Sequence, residues 1–243
     1  MIRLIFSIFF LLCVWSSNAQ GGYVIDYHHK ITFEANQTEF KYQLFLMPGK
    51  STYMKVKRTF TNLSGDEVIH IKGDAVPFVA KEYMKKRMTY NQPIFSEVFL
   101  IQDELPLQKW KISKEMKQIQ SFLCRKAVTT FRGRRYVAWY TEDIPLPGGP
   151  WKFDGLPGLI LEVSSVDGVL SIHADQLRRV EEKLPEVTKI EYSNDEYLSW
   201  EMYCKKYREV LSRIRKNMLA DTEEDMSYDL SLNLVEDIGW QAK

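Results

Sequence analysis

The strongest constraint on this chain is a period of two in its apolar residues, sustained through most of the first half. Between Tyr23 and Glu34, the residues Tyr23, Ile25, Tyr27, His29, Ile31 and Phe33 fall on one face of an extended chain, while Val24, Asp26, His28, Lys30, Thr32 and Glu34 take the other. Phe40, Tyr42, Leu44 and Leu46 repeat the pattern. "MPGK" (Met47 to Lys50) turns the chain, and "STYMKVKRTF" (Ser51 to Phe60) returns before a turn at "NLSGDE". Alternating strands joined by short turns form an antiparallel meander with one buried face. "EYMKKRMTY" and "IFSEVFLI" continue the sheet on either side of Asn91-Gln92-Pro93, with the basic run Lys81 to Met88 reading as a solvated face. "KWKISKEMKQI" is less periodic. The clearest hairpin is "SFLCRKAVTTF" and "RYVAWYT" around "RGR", where Gly133 accepts the positive φ of a tight turn. "DGVLSIHADQL" adds a further strand after an Asp-Gly turn.

One long helix comes next. Ser193-Asn194-Asp195-Glu196 fits a capping box, and Trp200, Tyr203, Cys204, Tyr207, Leu211, Ile214 and Met218 then recur at spacings of three and four. The expected fold is therefore α+β and mainly β. It is a strongly curved antiparallel sheet, half-barrel or open barrel, with this helix packed on it. "LSLNLVEDIGW" near the end reads as a final strand.

The first twenty residues read differently. Arg3, an apolar stretch from Leu4 to Trp15 and a small-residue exit ending at Ala19 make a secretory signal peptide. The stretch is shorter than the roughly 20 apolar residues of a membrane span. Leu12 stands where a lipoprotein signal carries a small residue before its cysteine, so Cys13 is read as discarded with the signal. Residues 1–19 are thus a signal peptide and 20–243 one domain, expected in the periplasm or outside the cell, with no membrane span. Removing Arg3 from the 33 basic residues leaves 32 against 32 acidic ones, unlike the basic footprint of a nucleic-acid binder. For Cys124 and Cys204, two alternatives stand open in an exported chain: a disulfide, or two separately buried thiols.

"GPWKFDGLPGLILEV" (Gly149 to Val163) is the most unusual stretch. Leu156-Pro157-Gly158-Leu159 suits a type II turn, with Pro157 presetting φ and Gly158 accepting positive φ. Gly155 adds freedom beside it, and Trp151 and Phe153 pin the loop to the core. "CRKA" followed by "FRGRRYVAWYTEDIPLPGGPWKFDGLPGLILEV" resembles the GLPGLI family, exported proteins of Bacteroidetes bacteria with the hexapeptide here at Gly155 to Ile160. The resemblance covers about Cys124 to Val163. It implies an envelope location and a shared fold, and supplies no catalytic residue.

No Gly-x-Ser-x-Gly elbow, phosphate-binding loop or zinc spacing is present, and neither metal nor cofactor is assigned. His28 and His29 point to opposite faces of a strand and cannot chelate together, while His29 and His173 are candidates to meet across the sheet. The function expected is non-catalytic binding of an envelope ligand or protein partner, with Trp139, Tyr140, Trp151, Phe153 and Asp154 lining the mouth of a concavity. One alternative is a glycosidase-like hydrolase using Asp154 and Glu162. Another is a purely structural or assembly-assisting role.

Overall fold

The computed structural model describes residues 21–34, 36–55, 77–105, 108–181, 196–220 and 234–239. The signal-peptide reading, the "NLSGDE" turn, residues 56–60 of the third strand, His70 and the capping-box residues Ser193 to Asp195 lie outside them.

The strands are β1 (Gly22–Phe33), β2 (Asn36–Met47), β3 (Lys50–Lys55), β4 (Phe78–Glu82), β5 (Arg87–Ile94), β6 (Glu97–Glu104), β7 (Lys111–Ile119), β8 (Phe122–Phe131), β9 (Arg134–Thr141), β10 (Leu159–Ser165), β11 (Leu170–Val180) and β12 (Tyr197–Leu198); α1 (Trp200–Ala220) is the helix. All twelve strands form one sheet in the order β12-β6-β5-β4-β3-β2-β1-β11-β10-β9-β8-β7. It is two consecutive meanders, β1 to β6 and β7 to β11, welded where β1 pairs antiparallel with β11. The sheet is curved and does not close into a barrel.

The alternation predicts the face that carries the main core, but not a second buried cluster of Val24, Phe45, Met54, Phe78 and Leu100 on the opposite face. Ile25, Tyr27 and His29 of β1 and Tyr42, Leu44 and Leu46 of β2 are buried on the core side. The β8–β9 hairpin closes through Arg132 and Gly133, whose φ values of 45° and 78° are both positive, the geometry of a two-residue type I′ turn.

Two strand boundaries differ from expectation. "EYMKKRMTY" is broken by a turn at Tyr83 to Lys86, closed by the Lys86 N–H donating to the Tyr83 carbonyl at 3.1 Å. Conversely, β5 runs through Asn91-Gln92-Pro93, and the chain turns at Phe95 and Ser96 instead. A charged, proline-poor turn beside a proline-bearing strand reverses the usual local signals.

Helix α1 begins at Trp200, with Ser199 as its cap: the Ser199 hydroxyl accepts from the Met202 N–H at 3.2 Å. The predicted stripe is the packed one, with Tyr203, Cys204 and Leu211 buried. Tyr203 meets Phe99 of β6 and donates to the Pro93 carbonyl of β5 at 2.8 Å. Among the residues read as a last strand, the described segment 234–239 is irregular. It forms a strap over the β8–β9 turn, where Arg134 donates to the Leu234 and Val235 carbonyls and the Asp237 N–H donates to the Arg132 carbonyl.

The turn entering β10 is not type II. The Gly158 N–H donates to the Leu156 carbonyl at 2.8 Å, two residues back, which makes a γ-type turn about Pro157. Glycine is demanded here by close approach: a Cβ on Gly158 would lie 2.0 Å from the Thr141 carbonyl oxygen. Gly158→Ala should therefore cost about 2 kcal/mol or more in chemical denaturation. Gly168→Ala, at φ 78° with nothing within 4 Å, should cost about 1 kcal/mol. Equal effects would refute the steric reading.

Candidate functional site

The loop between β9 and β10 folds back onto the core side of the sheet. Phe153 is fully buried, its ring centroid 4.8 Å from Tyr136 and 5.4 Å from Trp151. The anchor is Lys81 of β4, a residue whose sequence context suggests a solvated face. Its side chain is fully buried, and its ammonium donates to the Gly149 carbonyl at 3.0 Å, the Phe153 carbonyl at 2.5 Å and Asp154 Oδ2 at 3.1 Å. All three donors of the ammonium are used. Burial pushes the Lys81 amine below its ordinary value, with Asp154 opposing.

Asp154 is correspondingly saturated. Its Oδ2 also accepts from the Tyr83 hydroxyl at 2.9 Å, and its Oδ1 accepts from the Gly155 N–H at 2.7 Å. The Trp110 indole donates to its carbonyl, and Gln108 bridges the Lys152 carbonyl and the Asp154 N–H. Asp154 is thus a tie for the loop. Glu162 faces elsewhere, sharing a face with its register partners His173 and Trp139 and paired with Lys117 at 2.8 Å. Each carboxylate of the expected hydrolytic pair is held by its own lysine, and no shared cleft unites them.

The concavity itself lies between β1–β5, the loop, α1 and the strap. It is a cavity of about 300 Å³, walled by His29, Tyr42, Tyr53, Tyr90, Trp151, Tyr203 and Tyr207, with Ile31, Phe33, Val79, Leu234 and Ile238 among the aliphatic and further aromatic lining. Tyr42 and Tyr53 stack in parallel at 4.8 Å. His29 Nδ1 lies 3.2 Å from the Tyr53 hydroxyl. Trp151 holds φ at 50°, an uncommon conformation for a bulky residue.

One end of the cavity is polar. The Lys152 ammonium, buried, donates to Gln92 Oε1 at 2.8 Å and to Glu236 of the strap, and stands 4.1 Å over the Tyr90 ring. Arg132 completes the cluster, bonding Glu236 at 2.5 Å and Asp103 at 2.6 Å while stacking 3.6 Å over Trp200. Two cations meet two carboxylates, so the cluster is neutral. Burial lowers the Lys152 amine to about 8 against the pull of Glu236. Burial opposes ionisation of Glu236 too, yet Lys152 and Arg132 outweigh it and hold the carboxyl below the usual range.

Of the residues expected at the mouth, Trp151 lines the cavity. Phe153, Tyr140 and Asp154 are buried packing or tie residues, and Trp139 lies on the outer face beneath the Lys117 ammonium at 4.5 Å. Cys124 and Cys204 are free, buried thiols. Different charged groups act on the two thiols: Lys117, Asp143 and Glu162 on Cys124, and Arg132, Arg208, Glu236 and Lys152 on Cys204. The inward tyrosines, Lys152 and Glu236 carried no motif. The signal available for Lys152 was its position between Trp151 and Phe153, two rings that must bury.

The family described as a protein of unknown function (Porph_ging) matches residues 131–162, from the β8–β9 turn through the loop into β10. No curated protein matches the chain. The solved structure of PNGF-II is similar in two crystal forms, both at 16% identity: TM-score 0.53 over 77% of this chain in space group P21, and 0.51 over 80% in C2. The chain spans 33% of the length of either PNGF-II structure, and the likeness is one of fold. The LolA superfamily protein NE2245 from Nitrosomonas europaea aligns at 10% identity with a TM-score of 0.30, over 69% of this chain and 89% of that one. Among the described residues, no helix is long and apolar enough to cross a membrane.

These burials can be tested by mutation and by pH. Asp154→Asn should cost about 3 kcal/mol, because it leaves the Lys81 charge buried and under-paired. Adding Lys81→Met should cost less than the sum of the two single changes. Additive losses in a denaturation cycle would refute the tie. Burial, with His28 adding, also lowers the His29 imidazole to about 4. The unfolded histidine takes a proton near pH 6.5 that the folded one refuses until about pH 4, so stability should fall as pH drops through this window. The expected loss is about 3 kcal/mol. His29→Gln should flatten that slope, and an unchanged slope would contradict it.

Proposed function

We propose that the chain is a GLPGLI-type exported cell-envelope protein whose work is non-catalytic binding of an apolar or amphiphilic ligand in the aromatic cavity. The observation that carries this reading is the cavity's construction. Rings and aliphatic side chains form most of its wall, and its polar end is a charge-balanced cluster suited to orienting a polar group. Pockets of about 300 Å³ and upward with a few fixed polar groups are the ordinary form of a small-ligand site. The contiguous match over residues 131–162, which contains Gly155 to Ile160, supports the family assignment. Two pairs of titratable groups in the cavity are engaged with each other: His29 with Tyr53, and Lys152 with Glu236. The geometry of Asp154 and Glu162 gives the hydrolytic alternative no support.

The test is a titration with a fluorescent fatty-acid analogue, 11-(dansylamino)undecanoic acid, comparing the chain with Ile31→Trp. Ile31 is only partly buried and lines the cavity, so an indole there fills it while sparing the core. Saturable binding that weakens about tenfold or more in the variant, with thermal stability retained, is the expected result. Binding unchanged by the filling, or absent from both, overturns the cavity as the site.

A further inference from the structure

On the outer face of the sheet, away from the cavity, two histidines stand side by side at the weld between the meanders. His28 of β1 is in register with His173 of β11, and their rings stack at 5.1 Å with 10° between planes. The partner of His173 is therefore His28, not His29, because the antiparallel register puts these two on the same face. Asp175 stands two residues beyond His173. It is the extra residue of a β-bulge, since Asp26 pairs with Gln176 and Tyr27 with Ala174. Bulges re-aim side chains, and Asp175 Oδ1 stands 3.3 Å from His173 Nε2.

We propose that His28, His173 and Asp175 form a site for a borderline divalent transition-metal ion, of which Zn²⁺ is the representative. One ligand atom from each lies within 4.8 Å of the others. Two neutral imidazoles and a carboxylate are a donor set that zinc accepts, with one position left for water or a fourth ligand. A further carboxylate, Glu39 of β2, stands 3.0 Å from His28 Nε2 but outside the group of mutually close ligand atoms, so its side chain must swing in to supply the fourth ligand. Two carboxylates would balance the ion's charge. A tetrahedral site with Zn–N near 2.0 Å needs donor atoms about 3.3 Å apart, so the exposed side chains must close by about an ångström or more. The strands that carry them are the hydrogen-bonded centre of the sheet and supply the fixed frame.

Calorimetric titration of the purified full chain with zinc chloride, after chelator treatment, tests the site. One ion per chain is expected, with His28→Ala and His173→Ala each weakening binding by about 100-fold and His70→Ala leaving it unchanged. Both substitutions fall on solvent-facing positions, and matched melting temperatures in chelator would verify folding. A second readout is the imidazole NMR signals, in which zinc should shift those of His28 and His173 and leave that of buried His29. Absence of saturable binding, or stoichiometric binding that survives both substitutions, overturns the proposal.

Discussion

The Lys81 ammonium is the interaction on which the rest of the structure depends. A buried cation is costly unless every donor finds an acceptor, and here the acceptors are two carbonyls and a carboxylate of a single loop. Lys81 belongs to the first meander and the loop to the second. The bond set therefore closes the concave side of a sheet whose outermost strands, β12 and β7, do not pair with each other. Tyr27, donating to the Ile160 carbonyl at 2.5 Å, makes a second tie between the same halves.

Once the loop is held, its side chains have few places left to go. Phe153 fills the core beneath the hairpin, Trp151 is turned into the cavity, and Lys152 between them has one direction left, toward Gln92 and Glu236. Gly158 and Gly149 let the loop lie this close, since a Cβ on Gly149 would stand 2.9 Å from the Phe153 carbonyl oxygen. The strap then brings Glu236 against Arg132 at the hairpin turn. Cavity and charge cluster are two consequences of one loop placement.

Much of the frame was legible in the sequence, because period-two alternation is a local signal and the sheet is built of consecutive hairpins. The helix stripe was legible for the same reason, although its true cap, Ser199, lies one residue before the first ring of that stripe. Long-range facts were not legible. Lys81 reads as a surface residue until the loop that accepts its hydrogen bonds is placed, with Asp154 standing 73 residues later. Glu236 lies far beyond its partners in sequence, and the facing of His28 to His173 depends on a register that no single strand reveals. Which of the rings beside the glycines and prolines would face the cavity was not legible either: Phe153 and Tyr140 are taken up by packing, and of the residues expected at the mouth only Trp151 has a face on the cavity.

The most direct measurement is an NMR titration of isotope-labelled protein with the dansylated fatty acid, read at assigned backbone amides. Binding in the cavity predicts shifts concentrated at Ile31, Val79, Trp151, Tyr203 and Leu234 to Ile238, with Lys117, Trp139 and His173 on the outer face unmoved. Shifts concentrated on the outer face, or none at saturating probe, would contradict it.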